Sequence, residues 1–278
     1  LTWMTHSPQS LTKLSLRHWD GSVELPTSLI HFEALDVTLS TSSFVSKLPP
    51  SLECFMVAYR LFGVDLVVPL LPPSTHKLYI GTYSDMGTSS CAFFEQLPKF
   101  LTSFAFPESK KINLETNPEL ISLLPTTLTE LEIGPDLPCS VWHLLPPNLT
   151  KLSFAAPDPL KAVKVVDGIE VECEFESIPF NLLPISITKL EMRSCGSSSF
   201  CVPPSTTSNQ SYFPPNLTYL QLSPSLHLSP EVVKLLPSSL TYLEMANLCE
   251  QVCEYLPTGL KTLISRGTLM SPKLINFL

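Results

Sequence analysis

The stretch at 145–154, LPPNLTKLSF, returns as FPPNLTYLQL at 213–222, LPTTLTELEI at 124–133 and LPSSLTYLEM at 236–245. A short unit copied along a chain forces one local structure to be copied with it, because each copy meets the same local physics. Aligned on the proline of P-x-x-L-x-x-L-x-L, eleven copies begin at Pro8, Pro26, Pro49, Pro72, Pro98, Pro125, Pro146, Pro184, Pro214, Pro237 and Pro257. Those at Pro26, Pro72 and Pro257 are degraded. Successive copies are 18 to 38 residues apart, the range in which one supersecondary unit fits.

Within each copy the last two apolar positions alternate. Leu152 and Phe154 therefore point to one face of a short strand, as do Leu14 and Leu16, Leu131 and Ile133, Leu190 and Met192, Leu220 and Leu222, and Leu243 and Met245. One such strand cannot bury its own apolar face. Stacking the copies predicts a parallel sheet with a continuous core behind it. Leu149, Leu217 and Leu240, three positions earlier, enter that core from the turn.

The position before this Leu carries Ser10, Ser28, Ser51, Thr127, Asn148, Ser186, Asn216, Ser239 and Gly259. These are turn formers whose side chains bond nearby backbone. The proline before them fixes φ and stops any preceding helix. Between copies, NPELISLLP and SPEVVKLLP offer a cap (Asn117, Ser229), then Pro and Glu, and predict one or two helical turns.

The half-motif L-P-x-S-L-T-x-L-x-F resembles the leucine-rich-repeat family over nearly the whole chain, and within it the FNIP-type repeats of amoebae and the L-P-x repeats of bacterial effectors. The resemblance implies a leucine-rich-repeat solenoid: a curved parallel β-sheet on the concave face, with short helices, 3₁₀ turns and irregular segments on the convex face. Two features depart from the family. The Asn three residues beyond the last strand Leu is replaced by Trp19, Asp136, Pro157, Cys195, Ser225 and Leu248, and the Phe-Asn-x-Pro signature does not occur. Some other group must satisfy the backbone that an asparagine ladder would bond. The bacterial L-P-x effectors carry ligase chemistry in a separate domain; repeats fill this chain, so that activity is not carried over.

The expectation is thus a single solenoid over 1–278, of about eleven repeats, with two interruptions. Residues 159–178 contain KAVKVVDGIEVECEFE, alternating Val and charge around Asp167-Gly168, which predicts a β-hairpin. Residues 194–212 form a polar loop. The terminal residues are apolar rather than polar, so the ends are expected to continue into more chain or to meet another subunit. Of eight cysteines none forms a C-x-x-C pair, which leaves zinc ribbons and thioredoxin-type motifs unsupported. Cys195 and Cys201 are the pair spaced for a local disulfide.

Charged residues make up 15% and the formal charge is −8. That balance argues against nucleic acid as the main partner, which needs a basic footprint, and no apolar run is long enough to span a membrane. Catalytic motifs are missing: there is no G-x-S-x-G, no H-E-x-x-H and no P-loop, and the six His are scattered. No metal or cofactor is implied. Binding is expected on the strand residues that face away from the core. Their two columns include Lys189, Glu191, Tyr219, Gln221, Tyr242 and Glu244, where Tyr219 and Tyr242 fall in successive copies about 5 Å apart. The same pair also serves as a plain stacking ladder that stabilises the sheet. Sequons lie at Asn148, Asn209 and Asn216, near the number chance supplies.

The expected function is non-enzymatic: a recognition or structural protein that binds protein or glycan partners. Low charge, abundant Ser, Thr and Pro, the cysteines and the sequons tilt the setting towards secretion or the cell surface. The rivals are a self-assembling homo-oligomeric subunit that stacks end to end, and a cytoplasmic substrate adaptor.

Overall fold

The computed structural model describes residues 10–20, 25–37, 48–61, 71–81, 90–107, 117–134, 137, 139–155, 163–166, 169–172, 180–193, 200–201, 212–223, 226–228, 230–245 and 250–266. Contacts divide the chain into two units, 1–134 and 135–278.

In the first unit the repeats form six strands: β1 (Lys13–Trp19), β2 (His31–Val37), β3 (Cys54–Leu61), β4 (Lys77–Ile80), β5 (Ser103–Phe106) and β6 (Glu130–Ile133). In the second unit they form β7 (Lys151–Ala155), β10 (Lys189–Arg193), β12 (Tyr219–Gln221), β14 (Tyr242–Met245) and β15 (Thr262–Ser265). Between these lie β8 (Val163–Val166) and β9 (Ile169–Glu172), which pair antiparallel, and β11 (Phe200–Cys201) and β13 (Leu226–His227), which pair parallel. The eleven repeat strands run parallel and follow chain order. This is a leucine-rich-repeat solenoid. The degraded copies at Pro26, Pro72 and Pro257 also make strands, because neighbours supply the hydrogen bonds whatever the side chains.

Register follows the alignment without slippage at the strand starts. Lys13, His31, Cys54, Lys77, Ser103 and Glu130 pair in sequence, and so do Lys151, Lys189, Tyr219, Tyr242 and Thr262. A one-residue shift would turn every core side chain outward, so the apolar pattern fixes the register.

The core lies on the other face. Leu29, Leu52, Leu101, Leu128, Leu149, Leu217 and Leu240 from the turns are buried, as are Leu131, Leu152, Leu190, Leu220 and Leu243 from the strands. Aromatic rings fill the wider gaps. Phe93, Phe94, Phe104 and Phe106 cluster in the first unit, and Trp142, Phe154, Phe180, Tyr212 and Phe213 in the second. Return segments are short: helices at Ser90–Glu95, Glu119–Ser122, Pro230–Val233 and Glu250–Cys253, and 3₁₀ turns at Cys139–Leu144 and Phe180–Leu182. Pro118, next to the second helix, holds a helical φ of −63°.

In the ten described copies, from Pro26 to Pro257, the motif opens with a β-turn in which the proline carbonyl accepts the N–H of the residue three later. Leu149 N–H bonds Pro146 O at 3.2 Å and Leu240 N–H bonds Pro237 O at 3.0 Å. The residue inside this turn does not bond local backbone, as its type led one to expect. It reaches across to the preceding repeat, whose backbone lies one strand spacing away. Ser51 Oγ lies 2.6 and 2.8 Å from the carbonyls of Thr27 and Leu29, and Ser74 Oγ 2.8 Å from those of both Pro50 and Leu52. Thr127, Ser186 and Ser239 make the same two-carbonyl contact. Ser28 and Asn216 each reach one such carbonyl, Leu11 O and Ile185 O. This hydroxyl ladder ties each turn to the repeat before it, on the entry side of the strands.

Two residues later a threonine ladder runs beside it. Thr188 and Lys189 both donate their N–H to Thr150 O, and Thr188 Oγ1 meets the same carbonyl at 3.2 Å. Thr102, Thr129, Thr218 and Thr241 repeat this hydroxyl contact.

Gly259 interrupts the serine ladder. A Cβ built there would stand 3.2 Å from Ser238 O and 4.0 Å from Leu240 O, the same two carbonyls that a ladder hydroxyl would meet. Gly259→Ser is therefore expected to be more stable than Gly259→Ala by about 1 kcal/mol, one net hydrogen bond. Urea melts of both variants check this; equal midpoints would mean that a hydroxyl at 259 fails to bond the preceding repeat.

Candidate functional site

Strand alternation places all six sequence-expected binding residues on the outward face of the second unit. They are brought into contact with one another. The Tyr219 and Tyr242 rings stack with centroids 4.1 Å apart and planes 8° from parallel, tighter than strand spacing alone requires. On the other side of Tyr219, Lys189 Nζ sits 4.3 Å from the ring centroid. The result is a column of one cation and two rings, held by cation–π attraction and ring stacking.

The second column is tied to the first along each strand. Tyr219 Oη donates to Gln221 Oε1 at 3.0 Å, Tyr242 Oη donates to Glu244 Oε2 at 2.9 Å, and Lys189 Nζ lies 2.8 Å from Glu191 Oε1. These are i,i+2 neighbours, which share one face of a strand. Two residues outside the expected six complete the patch: Arg193 reaches Glu191 Oε2 at 3.9 Å, and Arg266 Nε reaches Glu244 Oε1 at 2.5 Å. Both sit at the next outward position, a third column that continues the same alternation.

Outward does not mean exposed throughout. Ser153 is fully buried and Glu244 is 4% exposed, although both point away from the core. The Ser153 hydroxyl has no hydrogen-bond partner. Cys54, in the first column of the other unit, is likewise buried as a free thiol. On that thiol desolvation is the main influence and raises its pKa, with Lys77 and Lys13 opposing. The tyrosines are half-buried.

Electrostatics follow from this packing. Burial pushes Glu191 up, but the Lys189 hydrogen bond, helped by the charges of Lys189, Lys151 and Arg193, outweighs it and holds the carboxyl below its ordinary value of 4.5. Burial, and then the bond to Glu244, raise the Tyr242 phenol well above its ordinary value, so it remains a donor in neutral solution. Because the folded pKa of Glu191 is depressed, its contribution to stability is present above about pH 4.5 and is lost as pH falls through the lower folded value. Glu191→Gln is expected to flatten that limb of the stability–pH curve by lowering stability at neutral pH, with variant and wild type converging at the acid end. Denaturation at pH 3, 4, 5 and 7 checks it, and an unchanged acid limb would sink the assignment.

Asn148 and Asn216 lie in exposed turns, with Thr150 and Thr218 two residues on. Asn209, the Cys195 side of the expected disulfide and both chain ends fall outside the described residues, as does the Cys201 side chain. Of the remaining described cysteines, Cys253 is a buried free thiol. Among the described residues no group of three His, Cys, Asp or Glu could hold a metal ion, and no helix is long and apolar enough to cross a membrane. An apolar recess of about 290 Å³, lined by Phe180, Asn181, Leu183, Ile185, Phe213, Pro214 and Pro215, lies at the turn edge. It offers one amide side chain and no charge, so the polar chemistry is on the strand face instead.

No protein-family model matches the chain, and no curated protein matches it. Among solved structures it is similar to the leucine-rich-repeat-containing protein LegL7 from Legionella pneumophila, at 13% identity and a TM-score of 0.48, over 95% of this chain and 96% of that one. It is also similar to CroV588, described as a novel circular LRR protein, at 19% identity and a TM-score of 0.46, over 93% of this chain but 43% of that one.

Proposed function

We propose that this chain is a non-enzymatic recognition protein that binds a protein partner on the strand face of its second unit. One observation carries the reading. Lys189, Glu191, Tyr219, Gln221, Tyr242 and Glu244 are locked to one another before any partner arrives. Side chains fixed in advance lose little entropy on binding, and half-buried tyrosines give both apolar area and a polar tip, the combination enriched at interface centres. The repeat type nearest to this chain is the L-P-x and FNIP group, on the strength of its L-P-x-S-L-T-x-L-x-F half-motif.

A variant carrying Tyr219→Ser and Tyr242→Ser tests the site. It is expected to keep its circular dichroism and to lose proteins that co-purify with the wild type from the native source. An undiminished set of partners would move recognition off this face.

The proposed setting is secreted or cell-surface. Intact mass from the native source, with glycosidase and thiol alkylation, tests that part separately. Sugar at Asn148, Asn209 or Asn216 supports it; a bare chain with eight alkylated thiols overturns it and favours an intracellular adaptor.

A further inference from the structure

We infer that the partner segment seated on this face is an acidic polypeptide, an inference that rests on the strand-face reading above. The chain as a whole is acidic, with a formal charge of −8. The outward columns of the second unit run the other way. They hold four cations, Lys151, Lys189, Arg193 and Arg266, against two carboxylates, Glu191 and Glu244. The same columns in the first unit balance, with Lys13, Arg17 and Lys77 against Glu33, Glu130 and Glu132. A basic face on an acidic molecule is charge segregation, and it attracts and orients an oppositely charged segment.

The distribution of the charges selects among anions. Glu244 is nearly inaccessible and already accepts from Tyr242 and Arg266, so it neutralises its partner without presenting much negative charge. The Arg193 and Arg266 side chains are 49% and 59% exposed, and Lys189 is 36% exposed. A guanidinium presents a planar fork that matches a carboxylate in two bonds.

Between the cations stand two stacked rings and Gln221, which separate the positive charges. Thr262 and Ile264 leave the far end of the column open and weakly apolar. A polysulfated glycan needs closely spaced cations. A peptide with intermittent Asp or Glu, apolar atoms between them and backbone N–H groups for Gln221 fits the spacing that is present.

Three fluorescent probes test this on the intact chain: a twelve-residue Glu/Ser peptide, the matching Gln/Ser peptide and a heparin oligosaccharide, titrated at 50 and 200 mM salt. The Glu/Ser peptide is expected to bind, to weaken as salt rises, and to lose about tenfold in affinity on Lys151→Gln with Arg193→Gln, one half-buried and one exposed charge at a few-fold each. Lys13→Gln with Lys77→Gln, in the other unit, is expected to change nothing. Equal binding of the Glu/Ser and Gln/Ser peptides overturns the inference, and so does binding of heparin alone, which would assign the face to an anionic glycan. If the Glu/Ser peptide fails while Tyr219→Ser with Tyr242→Ser still abolishes partner capture, the face is a binding site for other chemistry; if both fail, the strand-face reading falls too.

Discussion

Trp142→Ala is expected to destabilise the second unit by about 3–5 kcal/mol, the range for deleting a buried aromatic side chain. The indole is fully buried. Its ring packs edge-on against Phe154 at 5.5 Å and tilted against Phe180 at 6.0 Å, and its Nε1–H donates to Leu137 O at 3.3 Å. Truncation removes the apolar contacts, opens a cavity and strands a carbonyl together, and each loss adds to the others. Trp142→Phe should retain much of the packing and lose the hydrogen bond, for a cost of about 1–3 kcal/mol. Urea unfolding followed by circular dichroism measures both. A cost below about 1 kcal/mol for the alanine variant would mean that the 3₁₀ segment carrying Trp142 does not pack on β7.

The second large effect concerns the hydroxyl ladder. Ser186→Ala with Ser239→Ala is expected to cost about 2–3 kcal/mol, at roughly 1–1.5 kcal/mol for each net hydrogen bond. A serine has one proton, so although Ser186 Oγ is 2.7 Å from both Pro147 O and Leu149 O, it counts as one shared bond rather than two. Replacement leaves a half-buried carbonyl pair facing a methyl group. Cysteine in place of either serine keeps the volume and weakens the donor, and should fall between. If the double alanine variant unfolds at the wild-type midpoint, the ladder is incidental and the repeats are held by strand pairing and the core alone.

The parts of this fold that were legible in the sequence are those decided within ten residues. Leu152 and Phe154 alternate within one strand, and alternation alone sends them to the core. Once the prolines are aligned, the column from Lys151 through Lys189, Tyr219 and Tyr242 to Thr262 follows from stacking in register. What could not be read locally depends on the neighbouring repeat. Ser51 looks like an ordinary turn former; its partners, Thr27 and Leu29, are 24 and 22 residues back. At the degraded copy beginning at Pro72, Thr75 takes the place of the core leucine, and its hydroxyl bonds Leu52 O at 3.1 Å, which is how a polar residue is tolerated there. Phe100 occupies a ladder position in the copy at Pro98 and stands exposed.

The same limit applies to the candidate site. Tyr219 and Tyr242 could be placed side by side from the alignment. That Lys189 would cap the stack, and that Arg266 would close on Glu244, depends on long side chains folding back along and across strands. Arg193 and Arg266 belong to a third outward column, and the position two residues beyond the second column carries the signal for them.

The most direct test of the central claim is site-specific photo-cross-linking in the native source, with benzoyl-phenylalanine replacing Gln221 in the middle of the patch and, separately, Pro147 in an exposed turn. The expected result is a cross-linked partner peptide from position 221, rich in Asp or Glu, and none from position 147. Cross-links to a protein from 147 but not from 221 would contradict the claim and place recognition on the turn edge.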